Sequence, residues 1–424
     1  MRALWRPEAG PLRRESLFSL SAFWFAWEMQ WSALLGAAMQ GQIARFFPPT
    51  SLGTATALLA GSGACLSILS QYVAGRISDG RGHHKTFIAV GTLVNVAGLF
   101  AFARAPSFLA VLFAFAAIQI AFNAAGGPYQ ALMPERVEPQ ARSRASAFMG
   151  LFRLSGNAAG LLLARVFVRQ PGPTVSAAAF EAGLVHLALA LAIALVIALV
   201  ITLAGIRSDR EVRRPERLSS DWPARVSFAW LIASRSAVSM GLYLILPFFA
   251  FYLRFALHVS AYLATSLNLL LVMTGCALVG TVPAGIAGDR TAKKPIIFGA
   301  LFLLACGAIA LSLIRGEGTL LPIAAALGIG WGAYYSVDWA LACVLLPPGR
   351  AGSLMAIWNI GSSGPQVAAP ILGGLLVDRV GALLGDVGAS YRLLFALIAF
   401  FVLLGAAGLI FVREERAGLT SGTG

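Results

Sequence analysis

Long apolar runs separated by short polar turns make up almost the whole chain. Runs of about 20 apolar residues are long enough to cross the hydrocarbon core of a bilayer as helices. The sequence predicts twelve such spans, at residues 16–47, 51–75, 86–104, 107–133, 143–168, 182–205, 224–254, 259–284, 295–314, 318–346, 351–377 and 391–412. Prolines in the turns, as at Pro48-Pro49 and Pro106, indicate where spans end. We therefore expect an all-α membrane protein.

The longest polar stretch divides the twelve spans into two sets of six. It reads GIRSDREVRRPERLSSDWP and covers residues 205–223. We interpret it as a linker between two bundles. The predicted organisation is an N-terminal six-helix bundle at 1–205, a cytoplasmic linker at 206–223 and a C-terminal six-helix bundle at 224–424.

The two predicted bundles contain matching sequence features at a nearly constant offset. QAL at 130–132 is followed by WAL at 339–341, 209 residues later. Gly156-Asn157 and Pro365-Gln366 keep the same offset. These matches predict two pseudo-symmetric halves, an arrangement that places a substrate site between the halves near the bilayer midplane.

Composition agrees with a membrane protein. The chain is 58% hydrophobic and 12% charged, with a mean hydropathy of +0.79, whereas soluble domains are about 25% charged. The net charge of +14 does not predict nucleic-acid binding, because the basic residues lie in short turns rather than on one surface. We expect the lipid bilayer and a small molecule as partners, and a monomer.

The distribution of basic residues predicts the orientation. If the N-terminus is cytoplasmic, 22 of the 32 Lys and Arg residues lie in or beside cytoplasmic segments, eight at the opposite side and two within spans. Cytoplasmic loops of membrane proteins are enriched in Lys and Arg. We therefore expect a multi-pass protein of the inner membrane with both termini in the cytoplasm.

A charged turn occurs once in each half. GRISDGRGHHKTF at 75–87 follows the second span, and GIAGDRTAKKP at 285–295 follows the eighth. The Gly-x-x-x-Asp pattern followed by basic residues resembles the signature of the major facilitator superfamily. The resemblance implies alternating access, with these turns gating the cytoplasmic ends. The implied gating residues are Gly75, Asp79, Arg81, Arg144, Gly285, Asp289 and Arg290.

Four further segments resemble the sucrose-type symporters of the glycoside–pentoside–hexuronide cation symporter group. They are FAWEMQWSALLGAAMQ (25–40), NAAGGPYQALMPE (123–135), SGNAAG (155–160) and WNIGSSGPQ (358–366). This resemblance implies symport of a sugar or glycoside. Melibiose-type carriers of the group hold sodium-binding acids in span 2. Residues 51–75 contain no acid, which argues against that mode of sodium coupling.

Two acids lie deep in spans and are the candidates for proton coupling, Glu28 in span 1 and Asp338 in span 10. A charge at the bilayer centre costs several kcal/mol, so an acid there usually has a function. A low-dielectric site favours the uncharged form of a carboxyl group, which permits proton uptake and release. The alternative for each acid is a structural ion pair, for which Arg153 and Arg235 are the available partners. For both arginines, snorkelling to the membrane surface is a further alternative.

Polar and aromatic side chains of spans 1, 4, 10 and 11 are the candidate substrate contacts. Amides can exchange hydrogen bonds with hydroxyl groups, and aromatic rings can stack on sugar faces. The candidates are Asn123, Gln130, Gln30, Trp27, Trp31, Tyr334, Tyr335 and Asn359. For the aromatic residues of span 1 and for Asn359, core packing or interhelical bonding is the alternative. Gly126-Gly127-Pro128 is expected to kink span 4.

The sequence contains no nucleophile–base constellation, P-loop or dinucleotide-binding motif, so we expect neither an enzyme nor a cofactor. His83-His84 has no third ligand nearby, and we interpret it as part of a solvated basic turn rather than a metal site. The four cysteines have no paired spacing. We therefore predict a proton-coupled symporter of a small polar solute. Alternatives are a proton-coupled drug or metabolite exporter of the same fold, or a non-transporting membrane assembly factor.

Overall fold

The computed structural model describes residues 17–81, 84–136, 142–169, 175–205, 224–345 and 351–413. These residues form twelve long helical runs, as the apolar pattern predicts. Helices suit a bilayer because they satisfy every backbone hydrogen bond within the segment. The first run, α1, consists of Leu17–Ala33, a π-helical turn at Leu34–Ala38 and Met39–Phe46.

The remaining helices follow the predicted spans closely. They are α2 (Leu52–Arg81), α3 (His84–Ala103), α4 (Phe108–Arg136), α5 (Arg142–Phe167), α6 (Ala177–Gly205), α7 (Arg225–Phe255), α8 (Tyr262–Arg290), α9 (Lys293–Leu313), α10 (Leu320–Leu345), α11 (Ala351–Leu384) and α12 (Val387–Ile410). Within the described part of the chain, ten helices are long and apolar enough to cross a membrane. The predicted all-α membrane fold is confirmed.

The end of α11 differs from the prediction. The sequence places it at residue 377, before Asp378 and Arg379, whereas the helix continues to Leu384. Asp378 is accommodated because its carboxylate accepts hydrogen bonds from the backbone N–H groups of Gly53 and Thr54, at 3.0 and 2.6 Å. A carboxylate is a favourable partner for the unpaired N–H groups at a helix start.

The chain divides into two compact units that do not follow chain order. The first contains Met1–Ala33, Cys65–Leu163 and Glu181–Arg214, and the second contains Leu34–Ala64, Ala164–Phe180 and Pro215–Gly424. The π-helical turn of α1 begins where the first unit ends. The domain boundaries predicted at 205 and 224 stay a prediction, and residues 206–223 lie outside the described part of the chain.

Aromatic packing forms the core of the first unit. Phe23 of α1 lies with its ring centroid 4.8 Å from Tyr129 of α4, and Trp27 stacks on Phe122 at 4.3 Å. The Tyr129 hydroxyl donates to the carbonyl of Leu20 at 2.5 Å. These contacts attach α1 to α4.

Glycines bring α1 and α5 together within the same unit. A Cβ atom at Gly160 would lie 2.0 Å from the carbonyl oxygen of Met29, and one at Gly156 would lie 2.1 Å from that of Phe25. The Ser32 hydroxyl, 2.9 Å from the Asn157 carbonyl, donates across the same contact. Small residues at this spacing let membrane helices approach closely.

The second unit is built around the last six helices. Helix α8 packs on α10, α10 on α9, α9 on α12, α12 on α7 and α7 on α11. Segments from the first half of the chain complete this unit. Gln40 donates from its amide to the carbonyls of Leu246 and Pro247, at 3.2 and 3.4 Å, beside the proline inside α7.

Candidate functional site

The second unit contains a buried ion pair between α7 and α10. Arg235 Nη1 lies 2.5 Å from Asp338 Oδ2, and the two residues are 3% and 2% exposed. Arg235 lies about 15 Å along the axis from the start of α7. Its guanidinium is directed to Asp338 rather than to the membrane surface, so snorkelling of Arg235 is excluded.

Aromatic rings enclose the Arg235 guanidinium. Its Cζ atom lies 3.6 Å from the ring centroid of Trp358 in α11 and 5.6 Å from that of Tyr335 in α10. A desolvated cation over an aromatic face gains about 2 kcal/mol. The site therefore brings together side chains from three helices, α7, α10 and α11.

Three polar groups in this site have no hydrogen-bond partner among the described residues. They are Arg235 Nε, the Tyr334 hydroxyl and Trp358 Nε1. The three residues are 3%, 2% and 4% exposed. Leaving a buried donor unsatisfied costs about 1–3 kcal/mol. The site thus has more hydrogen-bond donors than Asp338 satisfies.

Close packing of α10 against α8 positions this pair. A Cβ atom at Gly332 would lie 2.0 Å from the Ala277 carbonyl oxygen, and one at Gly328 would lie 2.4 Å from that of Met273. These glycines make the α8 contact, while Asp338 reaches Arg235 of α7. Within the segment GIGWGAYYSVDW, these two glycines therefore pack against α8, whereas Asp338 forms the ion pair with α7.

The first unit contains a second, more open ion pair. Arg153 of α5 contacts Glu28 of α1 through Nε and Nη2, each 2.6 Å from Oε1. The Arg153 side chain is 37% exposed and that of Glu28 is 19% exposed. The Arg153 Cζ atom lies 4.8 Å from the Trp24 ring centroid. Both acids predicted for proton coupling are therefore ion-paired, each within its own unit.

The side-chain amides of two substrate candidates in the first unit are hydrogen-bonded to other side chains. Gln30 and Asn95 exchange two hydrogen bonds, at 3.0 and 2.7 Å, and both residues are fully buried. The Asn123 side chain accepts from Gln71 at 2.8 Å and donates to Gln119. These geometries favour interhelical bonding over substrate contact for Gln30 and Asn123.

The other substrate candidates occupy varied positions. Trp27 is 8% exposed and packs between Phe122 and Gly126, whereas Trp31 is partly exposed. Gln130 is exposed. Tyr334 lies within the Arg235 site and Tyr335, 44% exposed, lies at its edge. The side chain of Asn359 lies outside the described part of the structure.

Helix α4 continues through Pro128 without a break in the helical assignment. The predicted kink stays a prediction, and Gly126 and Gly127 lie close to α1 and α2. A Cβ atom at Gly126 would lie 2.2 Å from the Trp27 ring, and one at Gly127 would lie 2.7 Å from the Gln71 carbonyl oxygen.

The predicted gating turns are described only in part. Asp79 and Asp289 fall near the ends of α2 and α8, but their side chains lie outside the described structure, as do those of Arg81 and Arg144. Arg290 is exposed, and Gly75 has open space around it. A Cβ atom at Gly285 would lie 3.1 Å from Ser336 Oγ. The gating assignment stays a prediction.

His84 is not the solvated residue that the sequence pattern indicated. It is 1% exposed, and its Nδ1 atom forms a short hydrogen bond with the Ser78 hydroxyl. His83 lies outside the described residues. Over the described ranges, no group of three or more His, Cys, Asp or Glu residues is close enough together to hold a metal ion.

Trp358 is the site residue that sequence reasoning missed. It lies inside the segment WNIGSSGPQ, in which the sequence pattern indicates the neighbouring Asn359 as the substrate candidate. The sequence feature that could have identified it is a tryptophan beside polar residues in a predicted span, because a buried indole N–H usually has a hydrogen-bond partner.

Comparisons with known proteins identify the fold family. A sequence profile described as Major Facilitator Superfamily matches residues 16–364 and 237–423. A search of curated protein sequences gives no match.

Several solved structures are similar over almost the whole chain. A bacterial homologue of the human lysosomal transporter Spinster, in an inward-facing and occupied conformation, has a TM-score of 0.74 at 15% identity, over 96% of this chain and 97% of that one. A D-xylose–proton symporter gives 0.73 at 12% identity, over 94% and 97%. A mutant form of the nucleoside transporter NupG gives 0.69 at 11%, over 94% and 100%.

These identities are low enough that the structures show the fold alone, whereas the sequence profile covers most of the chain. The family match indicates a multi-pass membrane transporter rather than an enzyme. This chain belongs to the major facilitator superfamily.

Proposed function

We propose that this chain is a secondary active transporter that moves a small polar solute together with protons by alternating access. The observation that carries the proposal is the buried Arg235–Asp338 pair, 2.5 Å apart within membrane-spanning helices. Charges at this depth are costly and are usually retained for function. A proton on Asp338 would cancel its charge and release Arg235, which couples protonation to the arrangement of α7, α10 and α11.

The finer assignments belong to the same proposal. The resemblance to sucrose-type symporters supports sugars and glycosides as test substrates. The repeated turns around Asp79 and Asp289 would gate the cytoplasmic ends. The basic-residue distribution supports a cytoplasmic location for both termini. A monomer in the inner membrane completes the proposal.

The test is uptake by proteoliposomes containing the purified full-length chain. Thermal-shift screening of sugars, glycosides and small carboxylic acids first selects ligands. We expect an inward proton gradient to drive accumulation of a selected ligand and a protonophore to abolish it. Accumulation that is indifferent to the pH gradient would contradict proton coupling.

Asp338→Asn separates coupling from binding. We expect this variant to lose gradient-driven accumulation while still exchanging ligand across the membrane. Glu317→Gln, which changes an exposed acid between α9 and α10, is the matched control and should transport normally. The variant Arg235→Gln/Asp338→Asn leaves no unpaired charge, so its melting temperature shows whether a poorly folded Asp338→Asn fails because Arg235 is left uncompensated.

A further inference from the structure

We propose that the transported solute carries a carboxylate group, that this group binds to Arg235, and that it crosses the membrane with one proton held on Asp338. This inference rests on the proposed transport function and adds the chemical class of the substrate.

The first argument is the surplus of donors around Arg235. Arg235 Nε, Trp358 Nε1 and the Tyr334 hydroxyl have no acceptor among the described residues. All three residues are at least nine-tenths buried. Such groups are normally hydrogen-bonded in folded proteins. An acceptor placed here would satisfy donors that the protein alone leaves unused.

The second argument is the charge of the acceptor. One face of the guanidinium lies against Trp358, 3.6 Å from Cζ to the ring centroid, and Nη1 binds Asp338. The planar guanidinium binds carboxylates through two parallel N–H groups, and these charge-assisted bonds are stronger than neutral ones. The unused Nε–H is one donor of such a fork. A carboxylate therefore suits this site better than a neutral hydroxyl does.

The third argument concerns the net charge. Arg235 and Asp338 together are neutral, so a bound carboxylate would leave one uncompensated negative charge in a site whose residues are 2–4% exposed. Burying an unpaired charge is strongly unfavourable. A proton on Asp338 restores neutrality and frees Nη1. The anion and the proton therefore enter together, in a ratio of one to one.

The net charge moved in each cycle distinguishes transport of an acid with one proton from transport of a neutral sugar with one proton. One carboxylate and one proton move no net charge, so a membrane potential does not drive their uptake. A neutral solute that moves with one proton carries one positive charge, which the membrane potential does drive.

The experiment uses matched acid and amide pairs: glucuronate and glucuronamide, lactate and lactamide, benzoate and benzamide. We expect one or more acids, but not their amides, to raise the melting temperature of the purified chain. In proteoliposomes, uptake of that acid should follow an imposed pH gradient and be unchanged by a potassium–valinomycin potential. Protein-free liposomes measure passive entry of the weak acids.

Variants then locate the binding site. Trp358→Phe keeps the ring but removes Nε1–H, and we expect about tenfold weaker binding of the acid. Trp230→Phe, a change in α7 where Trp230 stacks on Phe411 at 4.5 Å, is the control and should bind normally. Arg235→Gln/Asp338→Asn should lose acid binding while staying folded, as judged by its melting temperature.

The outcomes separate this inference from the proposed function. Uptake of a neutral solute with an inward proton current would support proton-coupled transport and overturn the carboxylate assignment. Equal stabilisation by acids and amides, or the absence of stabilisation by every acid, would also overturn it. Transport of an acid without any dependence on the pH gradient would leave the substrate class intact and contradict the proton.

Discussion

The two arginine–acid pairs differ in how far each is removed from water. Arg235 and Asp338 have side chains 4% and 2% exposed, whereas those of Arg153 and Glu28 are 37% and 19% exposed. Exposed pairs contribute about 0–1 kcal/mol, because solvent screens both charges. Removing one partner of a buried pair costs about 3–5 kcal/mol, because the other charge is left uncompensated.

We expect Asp338→Asn to lower the melting temperature of the detergent-purified protein clearly more than Glu28→Gln does. The reason is the buried charge of Arg235, which the first change leaves unpaired. Thermal unfolding of both variants beside the unchanged protein measures the difference. The hydrophobic double variant Arg235→Met/Asp338→Leu should recover most of the loss. Equal shifts for the two single variants would show that burial does not distinguish the pairs.

At this scale the sequence predicted the charged residues and gave Arg153 and Arg235 as the available partners, but it did not assign each arginine to an acid. Asp338 and Glu28 stand out because acids are rare in apolar spans. Their pairing with Arg235 and Arg153 joins residues 103 and 125 positions apart, and two alternatives were open for Asp338. The Gln30–Asn95 pair gave no local signal at all, since each amide alone resembles a substrate contact.

At the scale of helices, contact between α1 and α5 depends on two glycines one turn apart. The carbonyl oxygens of Phe25 and Met29 occupy the positions where a side chain would begin at Gly156 and Gly160. The same contact places Arg153 near Glu28. Helix ends were predictable where prolines interrupt the pattern, but the end of α11 was not, because Asp378 has a distant partner.

We expect Gly160→Ala to lower the yield and melting temperature of the protein, because its methyl group would force α1 away from α5. Gly150→Ala in the same helix is the control. Gly150 has open space around it, so this variant should match the unchanged protein or exceed it slightly, since alanine favours helix more than glycine does. Fluorescence-detected gel filtration and thermal unfolding measure both effects. Equal behaviour of the two variants would contradict the close packing of α1 and α5.

At the scale of the whole molecule, the repeat preserves the helices but not the polar site. The offset of 209 that aligns QAL with WAL also aligns Asp338 with Tyr129. Tyr129 is 2% exposed and donates to the backbone of α1, so this position serves packing in one half and an ion pair in the other. Sequence pattern predicts the shared fold, whereas the divergence of the two sites appears only in the structure.

The predicted orientation is testable by cysteine labelling. In a background without the native cysteines, Glu317→Cys between α9 and α10 should react with a membrane-impermeant maleimide in intact cells. Thr291→Cys between α8 and α9 should react only after permeabilisation. Both positions are exposed, so access to the residue does not limit either reaction. The opposite labelling pattern would place the termini outside the cell.

The hydrogen bonds between Asp378 and the start of α2 would have to break in any transport cycle that separates α2 from α11. This contact joins a helix from the first half of the chain to one from the second, through two backbone N–H groups and one carboxylate. If the proposed alternating-access cycle separates these helices, both bonds break at once and water must replace them. We therefore expect the contact to favour the conformation described here over one in which the two helices are apart. A stronger contact would then prolong this conformation and slow turnover, and a weaker contact would shorten the time spent in this conformation.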